Sequence, residues 1–314
     1  MDKYRLSMSP FLKLIVSLPA LLILASCSGA DNTTKADTVS DSNANNDKAE
    51  SAQILRIAAA ANLAGVLPAV IEAYQAEVTY RKDGQNKAPQ NTENLKPKIE
   101  VTYASSGKLF AQINSGAPYD LFLSADQTFT AKYAQQQANN KSTAQAPFTY
   151  ARGQLALYSS NQDLNSIKTL DKTSLQQLFI TQSNAISNTV KITLANPELA
   201  PYGASAKTFL QQQGIYAELN DSKRLIQAEN IGQAFQYAHT ATTDYGFVAL
   251  SQLISAKVEP SKYLVLQRES YPAILQDGIV VSEHPKAPDF SQYLQSESAQ
   301  KLFADAGYLP IAKP

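Results

Sequence analysis

Asn62, the pair Ser105 and Ser106, Tyr202 and the peptide N–H of Ile231 are the groups on which chemistry can be built, and none of them carries a charge. Each stands where a short apolar run gives way to residues spaced as a helix, which is the signature of a strand end followed by a helix start. In LRIAAAANLAGVLPAVIEAY, residues 55–74, four alanines lead to Asn62 at the expected N-cap, after which Leu63, Leu67, Val70, Ile71 and Tyr74 recur at helical spacing. In VTYASSGKLFAQI, residues 101–113, Ser105, Ser106 and Gly107 make the same step. A helix start directs unpaired N–H groups and the positive end of its dipole outward, an arrangement suited to an anion. Capping alone explains any one of these residues. It is their repetition that points to a shared mouth.

Two further segments carry that step into the second half of the chain. Pro197, Pro201 and Gly203 in ANPELAPYG (195–203) fix an irregular loop before a helix, and Tyr202 presents a phenolic donor there. Glu229, Asn230 and Ile231 open another helix, making the Ile231 N–H a free donor at the same edge.

Other chemistries find less support. A hydrolase using Ser106 as nucleophile needs a base, yet His239 and His284, the two histidines, have polar or proline neighbours and are expected at the surface. No HExxH, GxSxG, P-loop or paired CxxC occurs, so no enzyme is expected. An organic acid would be met by an arginine fork, and the cleft loops contain no Arg. Lys plus Arg and Asp plus Glu each number 27, so the chain lacks the basic excess that nucleic-acid binding requires. Lys108 follows the second cap and is expected to reach solvent or a neighbouring acid rather than the site. Pro68 falls about six residues into the first expected helix, where it removes a ladder hydrogen bond, and nothing in the sequence accounts for it.

The elements that must position these groups begin well inside the chain. Residues 1–26 have a basic start and an apolar stretch broken by Pro19, which reads as a signal peptide. They end Leu24, Ala25, Ser26, Cys27, a tetrad resembling the lipobox of bacterial lipoproteins, which implies lipidation of Cys27 and anchoring to a membrane of the cell envelope. Residues 27–53 have almost nothing to bury and are expected to form a disordered tether. From Ile54 onward, strands and helices alternate with short connections, which predicts parallel sheets flanked by helices with ligands at the strands' carboxyl ends. Residues 79–98 read as a polar surface insertion, Phe148 to Ser159 as one long strand, and Phe290 to Ala306 as a final helix. The expected fold class is α/β with two lobes, 54–147 plus 271–314 and 148–270, joined by two chain crossings.

From Ile54 to Gly307 the sequence resembles the molybdate-binding proteins of bacterial ABC importers. The resemblance rests on AAAANL (58–63), ASSGKLFAQINSGAPYDLFLSADQ (104–127), NPELAPYG (196–203), DYGFVAL (244–250) and YPAILQDGIVV (271–281). It implies a type II periplasmic-binding-protein fold, with a tetrahedral oxyanion held between the lobes by Asn62, Ser106 with Ser105 beside it, Tyr202 and the backbone of Ile231. One branch of that family has a ligand tyrosine in the segment matching Ala249; Ala249 cannot donate from its side chain, and the pairing of Asn62 with Tyr202 looks like the other branch. The resemblance also implies a monomer without cofactor, molybdate or tungstate as ligand, and an ABC permease with its ATPase as partners.

Hydrogen-bond energetics agree with such a ligand. Each bond from a neutral donor to a charged group contributes roughly 1.5–3 kcal/mol, so about five exceed the ~8 kcal/mol of a micromolar complex and leave room for association costs. Fully ionised molybdate, tungstate or sulfate needs donors only. Phosphate, with a second pKa of about 6, benefits from an acceptor, and Glu229 and Asp277 are near enough in sequence to keep it in contention. Cavity size decides between sulfate and molybdate.

Overall fold

Short, largely apolar runs build two mixed sheets in the computed structural model of the protein, which describes residues 54–83, 96–138, 145–181 and 189–311. The expected signal peptide, Cys27, the tether and residues 84–95 of the polar insertion lie outside the described residues. In chain order the strands are β1 (Ile54–Ala60), β2 (Lys98–Ala104), β3 (Leu121–Leu123), β4 (Phe148–Gly153), β5 (Leu155–Tyr158), β6 (Ile192–Ala195), β7 (Leu225–Ala228), β8 (Tyr245–Ala249), β9 (Tyr263–Val265) and β10 (Ile274–Val280). One sheet has the order β2-β1-β3-β10-β4 and the other β7-β6-β8-β5-β9. In the first, β1 runs parallel to β2 and β3 while β10 is antiparallel to β3 and β4. The second repeats the plan, β6 parallel to β7 and β8 with β5 antiparallel to β8 and β9. In each sheet the antiparallel strand β10 or β5 is one whose chain has just crossed from the other lobe. This is the two-lobed α/β architecture of the type II periplasmic binding proteins.

Helices cover both faces of each sheet, so strand residues of either parity are buried. Leu55, Ile57 and Ala59 pack with Val70, Tyr74, Phe290 and Phe303 on one face of the first sheet, and Ala58 packs with Leu109, Phe122 and Ile279 on the other. In the second lobe Leu157, Phe179, Phe209 and Phe247 fill one core, and Ala156, Tyr158, Val248 and Leu253 the opposite face.

The structure corrects the expected element boundaries at five places. The run Phe148 to Ser159 is two strands in different sheets, β4 and β5, because the chain crosses lobes at Gln154; its carbonyl accepts from Leu250 N (3.0 Å) and its amide donates to Gly307 O (2.8 Å). The first crossing therefore falls inside the segment 148–270 rather than before it. The first helix does not start at Asn62. A 3₁₀ turn, Ala61–Gly65, precedes the α-helix Leu67–Asp83. Pro68 thus sits in the first helical turn, where a missing N–H leaves no hydrogen bond unmade, which accounts for a residue the sequence left unexplained. The same helix continues through Thr79 to Asp83, so the insertion is shorter than expected. The C-terminal helical stretch is two helices, Lys286–Leu294 and Glu297–Asp305, the second capped by Ser296, whose hydroxyl accepts from Ala299 N (3.3 Å). Finally, Pro201 opens the helix Pro201–Gln212 at its first turn, so Tyr202 is helical rather than part of an irregular loop.

Candidate functional site

Four strand ends and the helix starts that follow them converge on one enclosed space. β1 leads into the 3₁₀ turn Ala61–Gly65, β2 into the helix Ser106–Asn114, β6 through a short loop into Pro201–Gln212, and β7 into Ile231–His239. Asn62, Ser105 and Ser106 from one lobe and Tyr202 and Ile231 from the other line one small cavity. All five residues named from the sequence are therefore brought together, each no more than 3% exposed.

Their side chains are disposed differently. Ser105 is the N-cap of its helix, yet its hydroxyl makes no capping bond, and its Oγ is buried with no hydrogen-bond partner. Ser106 Oγ accepts from Ala125 N at 2.9 Å, which leaves the hydroxyl proton to donate elsewhere. Asn230 does cap, accepting from Gln233 N (3.0 Å), and so holds the start of its helix with the Ile231 N–H unpaired within the helix. Gly203, one residue beyond Tyr202, lets the helix approach β6: a Cβ there would lie 2.0 Å from the carbonyl oxygen of Ala195.

Asn62 departs from its expected role as a side-chain donor. Its amide nitrogen donates to Gln276 Oε1 (2.9 Å) and to the Tyr308 hydroxyl (3.0 Å), so both amide protons are already placed, while its Oδ1 is buried without a partner. What Asn62 can offer an anion in this arrangement is its backbone N–H, which lies in the first turn of the 3₁₀ segment. The structure also adds residues that sequence reasoning missed. Gln276, fully buried on β10, donates from Nε2 to the Tyr202 hydroxyl (3.1 Å) and accepts at Oε1 from Asn62, with the Tyr150 hydroxyl 3.2 Å from the same oxygen. Tyr308 donates to Asn62 O (3.0 Å). The one available signal was a Gln inside the apolar run ILQDGIV, and it names no partner.

No Lys, Arg, His, Asp or Glu lines the cavity among the described residues. Asp277 points away, accepting from Thr149 Oγ1 (2.7 Å) and Gln127 Nε2 (3.2 Å). Glu229 lies at the rim, paired with Lys108 across 2.5 Å, so the lysine reaches a neighbouring acid as expected. Burial holds the Tyr202 phenol well above its ordinary value, the nearby Tyr308 adding to the effect, and burial pushes Tyr308 up to about 12. These phenols remain protonated donors throughout the physiological range. His239, exposed, meets the Tyr158 hydroxyl through Nδ1 (2.8 Å), and partly buried His284 accepts at Nδ1 from Lys286 N (3.2 Å); neither lines the cavity.

The lobes touch around this space. Gly107 N donates to Leu199 O (2.9 Å), Ser251 Oγ donates to Asn62 O (3.3 Å), and the Lys108–Glu229 pair closes the rim. A Cβ on Gly107 would lie 3.0 Å from Leu199 Cα, so a larger residue there would have to push this contact apart by a few tenths of an ångström. An anion here would be enclosed by uncharged groups of both lobes.

Comparisons with known proteins agree with the geometry. The sequence pattern of the family described as "Bacterial extracellular solute-binding protein" matches residues 55–309. The molybdate-binding protein ModA of Rhodobacter capsulatus is 30% identical over 222 residues, 69% of this chain and 80% of that protein. ModA of Azotobacter vinelandii is 29% identical over 253 residues, 78% of this chain and 94% of that protein. Among solved structures, the Azotobacter vinelandii periplasmic molybdate-binding protein is similar with a TM-score of 0.63 at 26% identity, covering 82% of this chain and 100% of that one.

Proposed function

Because the chain belongs to the bacterial extracellular solute-binding protein family, we propose that it is the extracytoplasmic binding component of a molybdate importer and takes tungstate through the same contacts. The observation that carries this reading is the buried, unpartnered hydroxyl of Ser105 in a two-lobed cavity without a charged side chain. A hydroxyl buried without a partner costs about 1–3 kcal/mol, which binding of an acceptor would relieve. Hydroxyls of Ser105, Ser106 and Tyr202 and the N–H groups of Asn62 and Ile231 supply donors from both lobes. A fully ionised tetrahedral oxyanion satisfies them at once.

Because the donors belong to different lobes, the ion makes its full set of contacts only when the lobes meet, and binding favours the closed form by that difference. The closed protein then presents one surface to an ABC permease with its ATPase, and the ion is released unchanged. The protein binds and delivers; it carries out no conversion. We further propose that it acts as a monomer held in the cell envelope by a lipid on Cys27. Sulfate is the alternative among fully ionised ions.

A phosphate reading has one specific observation in its favour: Asn62 Oδ1 is an unpartnered buried acceptor beside the cavity, able to take the proton of hydrogen phosphate. Calorimetric titration with molybdate, tungstate, sulfate and phosphate at pH 8 distinguishes these readings. Molybdate and tungstate are expected to bind tightest. Phosphate or sulfate binding tenfold tighter than molybdate would replace the assignment.

A further inference from the structure

A phenol that must donate to a ligand has to be prevented from spending its proton on the protein. Tyr202 is 1% exposed, and the one hydrogen bond its hydroxyl makes among the described residues is with Gln276. The direction of that bond decides what Tyr202 can do. Gln276 uses Nε2, which has no lone pair to accept with, so the phenolic oxygen receives a hydrogen and its own proton stays free.

The surroundings of Gln276 hold the amide in that sense. Its Oε1 accepts from Asn62 Nδ2 at 2.9 Å, and the Tyr150 hydroxyl, whose shorter bond goes to Ser124 O (2.8 Å), lies 3.2 Å from the same oxygen. Asn62 Nδ2 also donates to Tyr308, and the Tyr308 proton is taken by Asn62 O. Strand register contributes as well. Gln276 pairs with Ala151 and Asp277 with Thr149, so the ladder skips Tyr150 at a bulge, and the phenol of that unpaired residue reaches Gln276. A Cβ on Gly153 would lie 2.0 Å from the Tyr202 hydroxyl and 2.8 Å from Gln276 Nε2, so glycine makes room for the pair.

We propose that Gln276 is a positioning residue for the anion site, fixing Tyr202 as a donor toward the cavity by occupying its acceptor side. The inference rests on the oxyanion reading above and deepens it. Gln276 acts through Tyr202; it is not among the residues that line the cavity.

The test is a double-mutant cycle read as molybdate affinity by calorimetry at pH 8, with thermal unfolding of each apo variant as a control. Gln276→Glu is nearly isosteric, and an ionised carboxylate can only accept, so it draws the Tyr202 proton away from the cavity. Tyr202→Phe in the wild-type background is expected to weaken binding roughly 10- to 150-fold, the loss of one hydrogen bond to a charged group. Gln276→Glu is expected to weaken it at least tenfold. In the Gln276→Glu background, Tyr202→Phe should cost less than about threefold, because the proton it removes no longer reaches the anion.

A role confined to packing would leave the two substitutions additive, and additivity overturns the proposal. Should the carboxylate prevent folding, Gln276→Met removes the donor without adding an acceptor of comparable strength. At least a threefold loss of affinity supports the proposal there, and affinity equal to wild type overturns it. Wild-type protein that binds none of molybdate, sulfate and phosphate overturns the oxyanion reading and this inference together. Wild-type binding with an additive cycle overturns the role of Gln276 alone.

Discussion

Ser105 and Tyr202 can donate to an anion only because neither hydroxyl proton is needed by the protein. Ser105 caps nothing with its side chain, and Tyr202 receives its hydrogen bond from Gln276 rather than giving one. Burial also keeps the donors charged with their protons: Tyr202 is raised well above 10.0 and Tyr308 to about 12. That shift has a consequence for stability. Below the ordinary phenol value of 10.0 folded and unfolded phenols are both protonated and stability is at its full value. Above it the unfolded phenols ionise while the buried ones do not, so the unfolded state is progressively favoured until the folded phenols ionise as well. Thermal midpoints recorded from pH 8 to pH 11.5 are expected to be flat to about pH 9.5 and then to fall steeply. A midpoint unchanged at pH 11.5 would contradict protonated phenols at the core of the site.

At this scale the sequence was partly legible. Ser105, Ser106, Tyr202 and Ile231 could be read because each sits next to a local signal, a strand end or a helix start. Gln276 and Tyr308 could not, because their meaning lies in contacts made across 214 and 246 positions of chain, to which periodicity is blind. Asn62 was recognised as part of the site while its side-chain role was not, since the partners that take its protons were themselves invisible.

The helix starts are the elements that aim these groups, and their placement depends on close backbone approaches. Gly203 illustrates the requirement. With a Cβ 2.0 Å from the Ala195 carbonyl oxygen, alanine would force the helix Pro201–Gln212 away from β6. Gly203→Ala is expected to destabilise the protein by about 1–3 kcal/mol, as overpacking does, and to weaken anion binding through the displaced Tyr202. Chemical denaturation and calorimetry measure the two effects. Stability within 0.5 kcal/mol of wild type would show that the approach is not required.

Element types were legible from the periodic spacing, and the helix Ile231–His239 starts where the sequence places a helix start. Boundaries failed where two elements share one continuous apolar pattern. The strands β4 and β5 read as one because nothing local marks Gln154 as a crossing between sheets. The final two helices read as one because apolar spacing runs through the cap at Ser296. Pro68 is instructive in the opposite sense: it looked misplaced only because the helix was taken to begin at Asn62, and the 3₁₀ turn shifts that start to Leu67.

Across the described residues each sheet forms the core of one lobe, and the cavity is lined by residues of both. The contacts at the rim differ in kind from those inside. Lys108 and Glu229 have half-exposed side chains, at 50% and 44%, so their ion pair is screened by solvent. Exposed pairs contribute about 0.2–1 kcal/mol, and Lys108→Ala is accordingly expected to lower molybdate affinity by less than about fivefold, with the difference vanishing in 0.5 M salt. Calorimetry at two salt concentrations checks this. A loss above 50-fold would mean that the lysine serves as a counter-ion to the ligand. The two-lobed plan itself was legible because strand and helix alternate twice over, whereas the closeness of the lobes depends on Gly107 meeting Leu199, a contact that only the folded chain reveals.

The central claim is that uncharged donors from both lobes together hold a fully ionised oxyanion. Its most direct test is calorimetric titration of molybdate into the wild-type protein and into the double variant Ser105→Ala/Tyr202→Phe, which removes one donor from each lobe. The account predicts one ion bound per chain at micromolar affinity or tighter in the wild type, and a loss of at least about 100-fold in the double variant. Equal affinity in the two proteins, or no molybdate binding by the wild type, would contradict it.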